Sequence, residues 1–223
     1  MIIAIDGPSG AGKSTLGKRL ANELGLLYLD TGAMYRAVGL AALLAGANPR
    51  DREEIIEIAE ESEIELLGST DELRVKLNGI NVTSQIRSNE VGQMASVVST
   101  ISEVRRLLVA RQQEMAIANP KGAVLDGRDI GTVVFPKADF KFFLTATPEA
   151  RAQRRFEEDK EKGRKTTYEK TFEEIERRDQ RDSTRKDSPL VQSADAIKLD
   201  TSEMSEDDAF NAMLLAVQNK KKA

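Results

Sequence analysis

Gly7-Pro8-Ser9-Gly10-Ala11-Gly12-Lys13-Ser14 reads G-x-x-x-x-G-K-S and directly follows the apolar run Ile2-Ile3-Ala4-Ile5 and Asp6. A buried strand that turns through a glycine-rich loop into a helix is the context in which such a loop cradles phosphate. The loop and first-turn N–H groups have no acceptor inside the helix, so they converge on an anion. Lys13 is expected to reach the terminal phosphates of a nucleoside triphosphate, and the Ser14 hydroxyl to hold Mg²⁺. The expected ATP set is Gly7, Pro8, Ser9, Gly10, Ala11, Gly12, Lys13, Ser14 and Thr15.

Other residues could add chemistry. Asp126 ends the apolar run Ala123-Val124-Leu125. Such an acid either caps the following loop or faces the phosphate crevice and holds Mg²⁺, and beside a phosphate loop the metal role is the expected one. Arg128 and Asp129 leave the same strand end, where ligands of open α/β sheets bind; a surface salt bridge is the alternative. Asp30-Thr31-Gly32 starts a helix, and Arg36 lies one turn inside, suited to a second anion. Arg178, Arg181, Asp182 and Arg185 recur at i, i+3, i+4 and i+7, one helix face. That face suits a polyanion and a sugar hydroxyl, or an Arg178–Asp182 pair on a solvated surface. Arg151, Arg154 and Arg155 open a charged segment that reads either as a flap over transferred phosphate or as a solvated helix.

Positioning these residues requires alternating strands and helices. The patterns predict helices at 14–24, 30–45, 51–62, 90–99, 102–119, from 147, 168–185 and 205–219, with strands at 26–29, 123–126, 140–146 and 196–199. Between them the period changes to two: Ile64–Leu67, Leu73–Leu77 and Ile80–Val82 form three short antiparallel strands, with Asn78-Gly79 as a hairpin turn. The fold class is α/β, a P-loop NTPase doubly wound parallel sheet with a small three-stranded antiparallel insertion and a helical lid. One domain spans 1–223, with core segments at about 1–36, 120–150 and 195–223, an acceptor-binding insertion at about 62–100 and a lid at about 151–170.

With 223 residues, 40% hydrophobic and 31% charged, the chain can bury a sizeable core. It has no Cys and no His, which excludes disulfides and thiolate metal sites and favours chemistry driven by positioning and charge. The net charge of −4 argues against general nucleic-acid affinity. Residues 151–186 nevertheless carry 13 Lys and Arg against 10 Asp and Glu, a basic stretch fit for phosphates on a small ligand. Met1 leads straight into the first strand, and no apolar run is long enough to span a bilayer, so a cytoplasmic protein without membrane partners is expected.

Four segments together resemble the bacterial cytidylate kinases, a family of nucleoside monophosphate kinases: Asp6–Ser14, Asp30–Arg36, Asp126–Pro136 and Arg178–Asp182. The likeness covers essentially the whole chain, including the insertion. It implies transfer of the ATP γ-phosphoryl group to CMP or dCMP with Mg²⁺ held at Ser14 and Asp126, by a monomer. By the same resemblance, Ser96, Arg105 and Asp129 read cytosine, and Arg36, Arg128 and Arg185 bind the acceptor phosphate. Arg178 and Asp182 lie near the sugar, with Thr31 standing where relatives carry Ser. Lys13, Arg128, Arg154 and Arg155 form the expected catalytic set. The Asp129 assignment has independent chemical support, because a carboxylate accepts from cytosine N4 and repels uracil O4. A guanine-nucleotide switch is the rival class, but Ile197-Lys198-Leu199-Asp200 has Ile where the guanine-reading amide belongs. Two more rivals are a kinase acting on UMP or AMP and a non-catalytic nucleotide-binding module; the joint presence of Lys13, Ser14 and Asp126 argues against the latter.

Overall fold

A computed structural model describes residues 1–67 and 73–220. A five-stranded parallel sheet has the order β2-β6-β1-β7-β8, from β1 (Ile2–Asp6), β2 (Leu27–Asp30), β6 (Ala123–Gly127), β7 (Phe140–Thr145) and β8 (Ile197–Asp200). From β1 the chain first adds strands on one side and later adds β7 and β8 on the other. Connections therefore diverge at the C-terminal end of β1, the topological switch point of an open α/β sheet. A separate antiparallel sheet holds β3 (Ile64–Leu67), β4 (Arg74–Leu77) and β5 (Ile80–Asn81) in that order. Asn78 and Gly79 both have positive φ, 49° and 77°, as a type I′ hairpin turn requires. The expected connection between β3 and β4, at 68–72, lies outside the described residues.

The chain divides into two compact units, residues 1–24 with 124–223, and residues 25–123. The first contains α1 (Lys13–Leu24), α6 (Pro148–Glu161), α7 (Tyr168–Thr184) and α8 (Glu206–Lys220). Strands β1, β6 and β7 are buried on both faces: Ile3, Ile5, Val124, Leu125, Phe142 and Leu144 are all withdrawn from water. Helix α8 buries Ala209, Met213 and Val217. At its N-terminus, Arg19 of α1 pairs with Glu206 and Asp207 at 2.8 Å each and lies 4.3 Å over the Phe210 ring. Just after β8, Thr201 Oγ1 donates to the carbonyl of Ala11 at 3.3 Å, so late-sequence residues brace the phosphate loop.

The second unit contains α2 (Thr31–Ala45), α3 (Arg52–Glu61), α4 (Asn89–Val98) and α5 (Ser102–Ala118). Met34, Val38, Ile55, Val98, Val104 and Leu108 form one core cluster. Ala33, Ala37 and Leu40 pack on Val75, Leu77, Val82, Ile86 and Val91 in a second. Side-chain caps set the helix starts: Asp30 accepts from Ala33 N, Asp51 from Glu54 N and Ser88 from Val91 N. No helix among the described residues is long and apolar enough to cross a membrane.

Helices α2 and α4 approach so closely at Gly39 that a Cβ there would lie 2.9 Å from Ala95 N and 3.3 Å from Val91 O. Helix propensity alone favours Gly39→Ala by about 1 kcal/mol. Overpacking against rigid backbone costs about 1–3 kcal/mol and should win. Urea denaturation of Gly39→Ala is expected to show a net loss of up to about 2 kcal/mol; a gain would mean the helices part freely.

Candidate active site

The phosphate loop rests directly on β7. Gly7 has φ 148°, and a Cβ there would lie 2.0 Å from the carbonyl oxygen of Leu144, so only glycine fits. Lys13 opens α1, is almost fully buried and donates from Nζ to the carbonyl of Pro8 at 2.6 Å. Ser14 Oγ donates to Asp126 Oδ2 at 2.6 Å, joining the helix start to the end of β6. Burial and then the Arg128 charge hold the Lys13 ammonium well below its ordinary pKa; Arg178 adds to this while Asp126 and Asp182 oppose it. A buried cation among cations is stabilised by any anion that enters the loop.

Asp182 organises those arginines. Arg128 donates through Nε to Asp182 Oδ2 at 2.7 Å and through Nη1 to the carbonyl of Gly127 at 3.1 Å. Arg178 Nε lies 4.0 Å from the same carboxylate, and its Nη1 donates to Ser9 Oγ at 3.4 Å. Burial works against ionising Asp182, but Arg128 and Arg178 outweigh it and keep its pKa below the usual carboxylate value. Arg185 and Asp129, both buried, face each other at 3.7 Å. The sequence placed Arg185 in a helix, but the helix ends at Thr184 and Arg185 is an extended C-cap, φ −62° and ψ 144°. Arg181 is exposed, so the face that turns inward carries Arg178 and Asp182 without it.

The arginines of α6 take different partners. Arg151 is buried, donating to the carbonyls of Ala146 and Ser9 and pairing with Asp179 at 2.6 Å. Arg154 donates to the hydroxyl and carbonyl oxygens of Thr201. Arg155 pairs with Glu158 at 3.3 Å and Asp159 at 3.4 Å, and Asp159 also receives Arg164 at 2.8 Å.

The second unit gathers another group. Arg36 of α2 donates from Nη1 to the carbonyl of Ile86 at 2.9 Å, and its guanidinium lies over Gly92, where a Cβ would come within 3.2 Å. Arg105 of α5 is buried, donates to the carbonyl of Ser99 at 3.2 Å and stacks 5.4 Å over the Tyr35 ring. Ser96 sits on α4, half-buried, and Thr31 is the buried first residue of α2. Asp30, which caps α2, also receives Arg87 Nη2 at 3.3 Å.

Arg87, Asp179 and above all Asp6 were not singled out from sequence. Asp6 accepts from the backbone N–H groups of Ile130 and Gly131, both at 2.7 Å. Burial raises its pKa from 3.8 to about 6, although those two hydrogen bonds oppose the rise. The signal that drew attention to Asp126, an acid ending an apolar strand, was present at Asp6 too. Among the described residues no group of three or more acidic side chains could hold a metal ion. The adjacent Ser14 hydroxyl and Asp126 carboxylate instead suit a hard cation that takes few protein oxygens and completes its shell with phosphate and water.

Comparison with known proteins shows the family. The family model for cytidylate kinase matches residues 3–219. A cytidylate kinase of Caldanaerobacter subterraneus subsp. tengcongensis is 50% identical over 220 residues, covering 99% of this chain and 96% of that protein. One from Caldicellulosiruptor bescii is 49% identical, covering 95% and 93%. Among solved structures, shikimate kinase from Bacteroides thetaiotaomicron has a TM-score of 0.50 at 12% identity, covering 100% of this chain and 99% of that one, a likeness of fold. By the extent of the family match and the identity to these relatives, the chain belongs to the cytidylate kinase family.

Proposed function

We propose that this chain transfers the γ-phosphoryl group of ATP to CMP or dCMP, giving ADP and CDP or dCDP. The observation that carries the reading is the buried cluster at the phosphate loop, where Lys13 lies among Arg128, Arg178, Asp126 and Asp182. Phosphoryl transfer needs little covalent help from a protein and depends on positioning and neutralisation of oxygen charge, which suits a chain without histidine. Residues 7–15 hold the ATP phosphates, and Lys13 stabilises charge on the transferred group. Ser14 and Asp126 hold Mg²⁺, which when bound neutralises and orients the phosphate oxygens.

On the acceptor side, Arg36, Arg128 and Arg185 bind the CMP phosphate, and Arg178 and Asp182 lie at the sugar with Thr31 nearby. Ser96, Arg105 and Asp129 read the base. Backbone carbonyls fix the orientation of the Arg36 and Arg105 head groups, which supports both as anion or base ligands. Arg154 and Arg155 approach the transferred phosphate from the lid, exchanging Thr201, Glu158 and Asp159 for phosphate oxygens. Both substrates are small soluble anions, and the reading extends to a cytoplasmic monomer with neither nucleic acid nor membrane as partner.

The direct test is ADP release from ATP and Mg²⁺ across CMP, dCMP, UMP, AMP and GMP. CMP and dCMP should turn over fastest; comparable hydrolysis without any acceptor would instead favour a nucleotide switch. Lys13→Ala should lower kcat at least about a hundredfold, the scale of one electrostatic stabiliser, while circular dichroism stays unchanged. Asp129→Asn replaces an acceptor with an amide that also donates, so uracil O4 gains a partner. The CMP/UMP ratio of kcat/KM should therefore fall further than total activity; an unchanged ratio would refute base reading by Asp129.

A further inference from the structure

Asp129 stands at the N-cap of the single π-helical turn Ile130–Val134, yet its side chain makes no capping hydrogen bond. Aspartate at such a position ordinarily satisfies the first N–H groups of its own turn. Here the N–H groups of Ile130 and Gly131 donate instead to Oδ1 and Oδ2 of Asp6, each at 2.7 Å. Asp6 is 4% exposed, ends β1 and immediately precedes Gly7, so its own backbone is held by the central sheet. The fit around this clamp is close: a Cβ on Gly131 would lie 3.3 Å from Asp6 Oδ2 and 3.1 Å from Lys141 Cδ.

We propose that Asp6 is a positioning residue for acceptor-base discrimination: by capping the 130–131 turn from β1, it spares the Asp129 carboxylate from that task and aims it at the base. The inference rests on the base-reading role proposed for Asp129. It explains why a second acid is kept in a buried place beside Asp129, where their like charges oppose each other. Two charge-assisted bonds to backbone N–H groups offset that repulsion and fix the turn in one register. Because Asp6 adjoins the phosphate loop and clamps the base-reading turn, any shift in it moves Asp129 relative to the loop that holds ATP.

The test compares Asp6→Asn, Gly131→Ala, Asp129→Asn and the Asp6→Asn/Asp129→Asn double variant, assayed at pH 8 where Asp6 is ionised. In Asp6→Asn the amide keeps one acceptor and sets an NH₂ against the other N–H. The CMP/UMP ratio of kcat/KM should fall about tenfold, the scale of one unsatisfied buried donor, and the KM for CMP should rise more than that for ATP. Gly131→Ala, which crowds the clamp from the other side, should move the ratio the same way. The double variant should discriminate no worse than Asp129→Asn alone, because both act through one carboxylate. If Asp129→Asn lowers the ratio while folded Asp6→Asn and Gly131→Ala leave it unchanged, or if the double is additive, the inference is overturned and base reading stands. If Asp129→Asn itself leaves the ratio unchanged, base reading fails and this inference with it. Should Asp6→Asn not fold, Gly131→Ala and its double with Asp129→Asn decide the question; failure of both single variants to fold would assign Asp6 to the core alone.

Discussion

Positive charge must be gathered out of water before an anion arrives, and that requirement shapes everything around the phosphate loop. Arg128 and Arg178 depress the ionisation of Lys13 while Asp126 and Asp182 oppose them, and the same two carboxylates hold Arg128 charged. Asp182 accepts from Arg128 at 2.7 Å, which holds the guanidinium in one orientation at the mouth of β6. Without that carboxylate the arginines would repel one another and solvate outward. With it, they remain close, charged and oriented. The cluster is therefore a preorganised electrostatic environment, assembled at the expense of folding free energy rather than rebuilt at each turnover.

Arg36 and Arg105 are oriented by a different route. Arg36 and Arg105 donate to carbonyl oxygens of Ile86 and Ser99, and Arg105 also rests on the face of Tyr35. A carbonyl or an aromatic face fixes the direction in which a guanidinium points. Their placement depends on helix packing, since Arg36 and Ser96 sit on the two helices that meet at Gly39 and Ala95. The close approach at Gly39 thus sets the spacing between the helices that carry Arg36 and Ser96, with Gly92 making room for the Arg36 head group.

What the sequence made legible was local. The phosphate loop, the acid ending β6, the capped helix starts and the Asn78-Gly79 hairpin each occupy a few consecutive residues whose chemistry dictates their shape. Partner choice across the chain was not legible. Arg128 takes Asp182, 54 residues away, in preference to forming a surface pair with its neighbour. Asp6 caps a turn 124 residues later, and nothing in the spacing announces it. Helical periodicity grouped Arg181 and Arg185 with Arg178, but the helix ended one residue early and Arg181 turned to solvent. Periodicity gives a face; only tertiary packing says which edge of it is covered.

The bracing of the loop by β8, Thr201 and α8 bears on the order in which the protein is made. Residues 7–14 are translated long before their supports, since Ala11 accepts from Thr201, 190 residues later, and α1 is tied by Arg19 to Glu206 and Asp207. Until those residues are made the nascent loop lacks these supports, and until residues 140–145 are made its apolar strand β1 has no β7 beside it. Pairings so distant in sequence lose loop-closure entropy before they return any stabilisation. The phosphate loop consequently gains its full set of contacts only once residues 201–207 have been made.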